Sequence, residues 1–203
     1  MSYKKILTLS ESDNIFLTSD LHFCHRNILN FCKRPFNSTE EMDEALVNNW
    51  NSVVGKDDYV FDLGDFAFAS SSKWKELISR LNGKHYLILG NHDISRYPGD
   101  DVMSLFERVE EQMIIKIDNR SIILNHYPFL CYAGTYRDKN SIVYNLHGHV
   151  HTLKYGENTG KDQERLQYRF PYQYDVGVDN NDYKPISWIE LKEIMKKQIE
   201  QSC

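Results

Sequence analysis

The stretch that decides the fold is IVYNLHGHVH, residues 142–151, in which three histidines follow a mainly apolar run. The apolar run predicts a buried β-strand, and the glycine allows the backbone to turn sharply after it. A tight turn at that point would bring at least two imidazoles to one side. Neutral imidazole is a common ligand of transition metals, although closely spaced histidines also occur on solvated loops. A metal site therefore requires that other segments supply ligands in similar positions.

Four other segments have the same form, a short apolar run that ends in a carboxylate, amide or imidazole. They are residues 14–18 before Asp20 and His22, residues 58–63 before Gly64 and Asp65, residues 85–89 before Gly90, Asn91, His92 and Asp93, and residues 120–124 before His126. Open α/β sheets place their ligands at the carboxyl ends of strands. Each segment alone could be an ordinary turn or a helix cap. Chance does not readily place a ligand at all five strand ends.

Two groups of side chains beside these ligands suggest substrate chemistry. Asp93 directly follows His92, and a carboxylate in that position could orient the imidazole and raise its basicity, as suits a general acid. His25, Arg26 and Asn27 come soon after His22. A guanidinium can bind phosphate through two parallel hydrogen bonds, so we expect these three residues to contact the substrate. The alternative is that Arg26 and Asn27 form an exposed first turn of a helix.

The composition describes an ordinary globular chain of 203 residues, which we expect to form one domain over residues 1–203. Four scattered cysteines without a Cys-x-x-Cys pair indicate neither a disulfide framework nor a Cys-rich zinc site. We therefore expect reduced thiols and a cytoplasmic location. No apolar run approaches the ~20 residues that span a bilayer, so no membrane contact is expected. The net charge of −5 disfavours binding along an extended nucleic acid but is compatible with a small phosphorylated substrate.

Periodicity places the remaining elements. Residues 39–54, 72–82 and 187–201 have the apolar stripe of an amphipathic helix, and capping boxes open the first and third of them. Residues 112–124 predict a β-hairpin, and residues 172–179 predict a late strand. The segments 130–140 and 154–169 read as loops, the first of which could border a substrate cleft.

In type, order and spacing, the five ligand motifs resemble those of the calcineurin-like metallophosphoesterase family. The family pattern is Asp-x-His, Gly-Asp, Gly-Asn-His-Asp/Glu, a lone His and Gly-His-x-His, and the chain matches it over residues 20–151 without a departure at any ligand position. The resemblance implies an α/β/β/α sandwich, in which two packed β-sheets are flanked by helices. It also implies a dinuclear metal centre at the strand ends.

The resemblance implies a role for each residue that matches a position of the family pattern. The residues that would bind the first metal ion are Asp20, His22 and His151; those for the second are Asn91, His126 and His149. Asp65 would bridge the two ions. His92 would contact the substrate phosphate and protonate the leaving group, with Asp93 beside it.

Imidazole, amide and carboxylate ligands in this mixture suit borderline ions better than calcium. We expect two divalent ions, with manganese as the first choice and iron, zinc, nickel and magnesium as alternatives. Such ions would yield a bridging hydroxide that attacks a phosphodiester or phosphomonoester. The alternatives are a nuclease acting on short nucleic acids, and a non-catalytic interaction module on the same fold. A structural zinc site fits less well, because it prefers four closed ligands that are often thiolates.

Overall fold

The structure, a computed structural model, describes residues 6–134, 142–151 and 171–201. Within these residues the strands form two five-stranded mixed sheets. The first sheet has the spatial order β1 (Leu7–Leu9), β6 (Gln112–Ile117), β7 (Arg120–Asn125), β8 (Tyr144–His147) and β9 (Gln173–Asp175). The second has the order β10 (Ile186–Ser187), β2 (Ile15–Thr18), β3 (Tyr59–Asp62), β4 (Lys84–Ile88) and β5 (Arg108–Glu110).

The direction of the strands decides where their connections meet. In the second sheet β2, β3, β4 and β5 run parallel, and only β10 is antiparallel to its neighbour. In the first sheet β7, β8 and β9 run parallel, and β6 forms an antiparallel hairpin with β7. Parallel strands end at one edge of a sheet, so the segments that come after β2, β3, β4, β7 and β8 can converge.

The helices of the described part are α1 (Ile28–Phe31), α2 (Thr39–Val53), α3 (Ser71–Arg80), α4 (Asn91–Ser95), α5 (Asp100–Met103) and α6 (Trp188–Gln201), with a 3-10 turn at Val178–Asn180. The Ser38 hydroxyl accepts a hydrogen bond from the Glu41 backbone at the start of α2, and Ser187 accepts one from Glu190 before α6. Both caps were expected from the sequence. None of the described helices is long and apolar enough to span a membrane.

Two apolar clusters fill the interior of the described residues. One lies between the sheets, where Leu17 and Phe61 of the second sheet face Ile115 and Leu124 of the first. The other packs α2 and α3 on the opposite face of the second sheet, with Trp50 among its fully buried side chains. The expected α/β/β/α sandwich, two packed sheets flanked by helices, is confirmed.

The structure differs from the sequence expectations mainly in its short elements. Helices α1, α4 and α5 have four or five residues each, too few to leave a helical period in the sequence. The late strand is shorter than the expected 172–179, because it ends at Asp175 and the 3-10 turn comes soon after it. The expected loop 130–140 is described only as far as residue 134, and the expected loop 154–169 lies outside the described residues.

Candidate metal centre

The expected ligands form two compact groups at the shared edge of the two sheets. Ligand atoms of Asp20, His22 and His151 all lie within 4.8 Å of one another. The same holds for a second group, which contains Asp65, His126 and His149. The first group joins residues that come after β2 and β8, so that both sheets contribute to it.

Asp65 belongs to the second group and also lies close to the first. Its Oδ2 atom is 3.7 Å from Nε2 of His22 and 3.5 Å from Nε2 of His126. The Asn91 Oδ1 atom is 3.1 Å from the same His126 nitrogen. The structure therefore brings all seven expected ligands together, while their coordination of metal stays a prediction.

The backbone at this edge is unusual. The residues with a left-handed backbone at expected ligand positions are Asp20 (φ 57°), His22 (φ 52°), Asp65 (φ 59°), His149 (φ 69°) and His151 (φ 47°). Asp, Asn and His tolerate this region better than other L-residues, yet it still costs about 1–2 kcal/mol per residue. Strained backbone of this kind clusters at functional sites, where the surrounding structure holds it in place.

Three of the imidazoles are held by a contact at Nδ1, which turns Nε2 towards the ligand groups. His126 donates from Nδ1 to the Leu63 carbonyl at 2.8 Å, and Nδ1 of His151 lies 2.8 Å from the Asp179 carboxylate. Nδ1 of His22 is 3.2 Å from Nδ1 of His25. Metal-binding histidines commonly have such a partner, because it fixes both the tautomer and the orientation of the ring.

Buried polar atoms at the centre fit a cation. Asp20 Oδ1 and His22 Nε2 are buried and have no hydrogen-bond partner among the described residues. Such atoms cost about 1–3 kcal/mol each when nothing compensates them. The two groups supply oxygen and imidazole-nitrogen atoms within a few ångströms, the donor set that divalent transition metals prefer. The residues present therefore fit bound divalent ions.

The electrostatics differ between the two ligand groups. Burial alone would lower the pKa of His126, but its hydrogen bond to Asp65 and the charge of Asp20 outweigh it and raise that pKa to about 9. Burial and the neighbouring His151 hold the pKa of His22 well below its ordinary value. A neutral His22 ring can offer a lone pair to an ion at physiological pH.

Gly90 is required by a close approach between its backbone and Asp65. A Cβ atom on Gly90 would lie 2.5 Å from the Asp65 backbone nitrogen and nearer still to the carboxylate. We expect Gly90→Ala to displace Asp65 and to weaken metal binding about 10-fold or more, as other disturbances around metal ligands do. Titration of the metal-free protein with Mn²⁺ measures this.

Gly55→Ala is the matched control for Gly90→Ala. A Cβ atom there would have the flexible Asp58 side chain as its nearest neighbour, at 3.2 Å. Its metal affinity should equal that of the wild type. Wild-type affinity in Gly90→Ala as well would contradict the close-approach argument.

The expected pairing of His92 with Asp93 is wrong. Asp93 is fully buried, and its carboxylate accepts hydrogen bonds from the backbone N–H groups of Gly90, Asp65 and Phe66 at 2.7–3.0 Å. The Asp93 carboxylate is therefore occupied by backbone donors at the start of α4 and after β3. Asp93 stabilises the loop that carries Asp65 and does not orient the neighbouring imidazole.

His92 itself lies at the solvent side of the centre. Its side chain is 37% exposed, and Nε2 is 3.9 Å from Asp65 Oδ2. Its backbone N–H donates to Asp65 Oδ1 at 2.9 Å. His92 therefore lies next to the ligand groups and is accessible to a molecule that binds there from solvent.

The three residues that were expected to bind substrate after His22 lie in two different environments. His25 stacks on Phe68 with ring centroids 3.6 Å apart, and Phe68 also contacts His92 at 4.5 Å. Arg26 and Asn27 are exposed, and in the described part no contact joins their side chains to the ligands. Of the three residues expected to bind substrate, the structure brings only His25 to the centre.

Sequence reasoning missed Arg34 and Asp179. The two side chains form a buried ion pair, and Asp179 contacts His151. Neither residue belongs to one of the five motifs, and 145 positions separate them in the chain. A sequence signal that could have drawn attention to Arg34 is its place in the basic turn before Pro35.

Comparison with known proteins gives relatives over most of the chain. A model described as calcineurin-like phosphoesterase matches residues 14–190. An uncharacterized protein of Methanocaldococcus jannaschii is 31% identical over 185 residues, which cover 90% of this chain and 92% of that protein. The Gene 66 protein of Mycobacterium phage L5 is 30% identical over 68% of this chain and 78% of its own length. A crystal structure of a protein of unknown function from Aquifex aeolicus has 26% identity and a TM-score of 0.66, covering 90% of this chain and 100% of that one.

Proposed function

The chain belongs to the calcineurin-like phosphoesterase family, and from this we propose that it hydrolyses a phosphodiester or phosphomonoester bond of a small substrate with two divalent metal ions. The observation that carries the proposal is the position of Asp65, whose Oδ2 lies 3.7 Å from His22 of one ligand group and 3.5 Å from His126 of the other. A single carboxylate in that position is suited to contact the ions of both groups.

Asp20, His22 and His151 would hold one ion, Asn91, His126 and His149 the other, and Asp65 would contact both. When bound, such ions polarise phosphoryl oxygens and lower the pKa of water at the site. The mixture of imidazole and oxygen ligands suits manganese, our first choice, and also iron, zinc, nickel or magnesium.

The protein's own contribution to the chemistry would come from His92. Its partly exposed ring lies beside Asp65, where a protonated Nε2 would give its proton to the oxygen of a departing group. His25 would support His22 through the Nδ1 contact, and Phe68 would hold His25 and His92 in place by packing against both rings. The net charge of −5 favours a small phosphorylated substrate over a long nucleic acid.

The first test is hydrolysis of bis-p-nitrophenyl phosphate against p-nitrophenyl phosphate. We expect chelator-stripped protein to be inactive and added Mn²⁺ to restore turnover, because the ligand set needs its ions. Restored cleavage of the diester would assign a phosphodiesterase and lead to cyclic nucleotides and short oligonucleotides as substrates. Preference for the monoester would assign a phosphatase.

The same assay can contradict the proposal in two ways. Protein that binds two ions per chain yet turns over neither substrate, nor a wider panel of phosphoesters, would favour the interaction-module alternative. Protein that binds no metal would overturn the site itself.

A further inference from the structure

We propose that the buried pair of Arg34 and Asp179 positions His151 and Asp20, and so sets the metal affinity of their ligand group without touching ion or substrate. The inference rests on the proposed function, because it assumes that the group binds an ion. It assigns the two residues as positioning residues for one of the two groups.

The two nitrogens of the His151 ring have different neighbours. Nδ1 lies 2.8 Å from Asp179 Oδ2, and Nε2 lies 3.7 Å from Asp20 Oδ1. A carboxylate accepts and does not donate when ionised, so Nδ1 carries the proton of the neutral ring and Nε2 keeps its lone pair. Asp179 therefore selects the tautomer that can bind an ion on the side of Asp20.

The side chain of Arg34 is buried, and the residue as a whole is 4% exposed. Nε and Nη2 donate to the two Asp179 oxygens, each at 2.9 Å. Two further N–H groups donate to backbone carbonyls, Nη2 to Asp20 at 2.6 Å and Nη1 to Leu21 at 2.9 Å, and Nη1 also donates to Met42 Sδ at 3.4 Å. Arg34 thus ties the carboxylate behind His151 to the strained backbone that carries Asp20.

Cys32, His151 and Asp179 also lie close enough together to hold an ion of their own. The hydrogen bonds argue against that interpretation. Both Asp179 oxygens already accept from Arg34, and the adjacent positive guanidinium would repel a cation. The carboxylate is therefore better suited to hold an imidazole than to bind a metal.

The effect should be selective for one ligand group. In the other group, His126 is held by the Leu63 carbonyl, which is a backbone atom. Among the described residues, the side chains of Arg34 and Asp179 contact the Asp20 and His151 side of the centre and not Asp65 or His126. Loss of the pair should therefore weaken the binding of one ion and leave the binding of the other unchanged.

The experiment is a calorimetric titration of the chelator-stripped full chain with Mn²⁺, comparing the wild type with Asp179→Asn. Asparagine keeps the shape but removes the charge that holds the Nδ1 proton. We expect one of two binding steps to weaken 10- to 100-fold, the usual effect of losing such a partner, and the other to stay within about twofold. Arg34→Lys should weaken the same step, because an ammonium cannot reproduce the guanidinium's hydrogen bonds to Asp179 and to the two backbone carbonyls.

Asp43→Asn is the matched control. Asp43 is also buried, and it accepts hydrogen bonds from the backbone and thiol of Cys24. In the part of the chain that the structure describes, it has no hydrogen bond to an expected ligand. The Mn²⁺ affinities of both binding steps in Asp43→Asn should stay within about twofold of the wild-type values. If Asp179→Asn does not fold, Arg34→Lys is judged by the same criterion.

Equal weakening of both steps in the Asp179 or Arg34 variant, or no weakening of either, would overturn the inference. A wild type that binds no Mn²⁺ would instead overturn the proposed function. A wild type that binds two ions and hydrolyses phosphoesters, beside variants with unchanged affinities, would overturn the positioning role alone.

Discussion

Asp65→Asn is expected to abolish phosphoester hydrolysis, lowering kcat/KM by at least about 10³-fold. Asparagine has the same shape and tolerates the left-handed backbone at this position, so the loop should keep its form. The variant loses the negative charge between His22 and His126. Losing about 4 kcal/mol of transition-state stabilisation corresponds to that factor, and metal sites contribute energies of this order.

The measurement combines turnover in Mn²⁺ with the number of ions bound per chain. Asp118→Asn is a matched control, because Asp118 also has a left-handed backbone (φ 48°) but lies exposed in the β6–β7 turn. It should have wild-type activity. Near-normal turnover in Asp65→Asn with both ions retained would show that Asp65 is not the shared ligand.

His92→Ala is expected to give a loss that depends on the leaving group. If the ring donates a proton to the departing oxygen, a substrate with an alkoxide leaving group should lose about 10²- to 10⁴-fold in kcat. Nitrophenolate needs little protonation, so p-nitrophenyl esters should lose much less. The comparison is made as a ratio of kcat values for the two substrates in the same variant.

His25→Ala provides the comparison on the same side of the centre. That ring contacts His22 and packs on Phe68, so its loss should affect both substrates by the same factor. Equal losses on both substrates in His92→Ala would instead assign His92 to substrate binding.

The sequence predicted those parts of the molecule that depend on local patterns. The strands before Asp20, Asp65 and His126 end where their apolar runs end, and the strand directions bring the three side chains to one edge of the sheets. The amphipathic helices 39–54 and 187–201 were predicted nearly to their bounds, because their apolar stripes extend over several turns.

Contacts between distant segments could not be predicted in this way. Asp93 is next to His92 in the chain, but its carboxylate is taken by backbone donors that only the packed loops bring near. Arg34 and Asp179 meet because the segment after α1 and the 3-10 turn pack on the same strand end, which no spacing in the chain reveals. Partner choice by a buried polar group depends on tertiary geometry and not on sequence distance.

The left-handed backbone at Asp65, His149 and the other three ligand positions has a consequence for laboratory evolution. Glycine adopts this conformation without the steric cost that the native side chains bear, and at Asp65 it would also remove a buried carboxylate. A selection for heat resistance alone, applied to metal-depleted protein, would therefore tend to discard the ligands themselves. Variants of this chain should be selected for activity and thermal tolerance together.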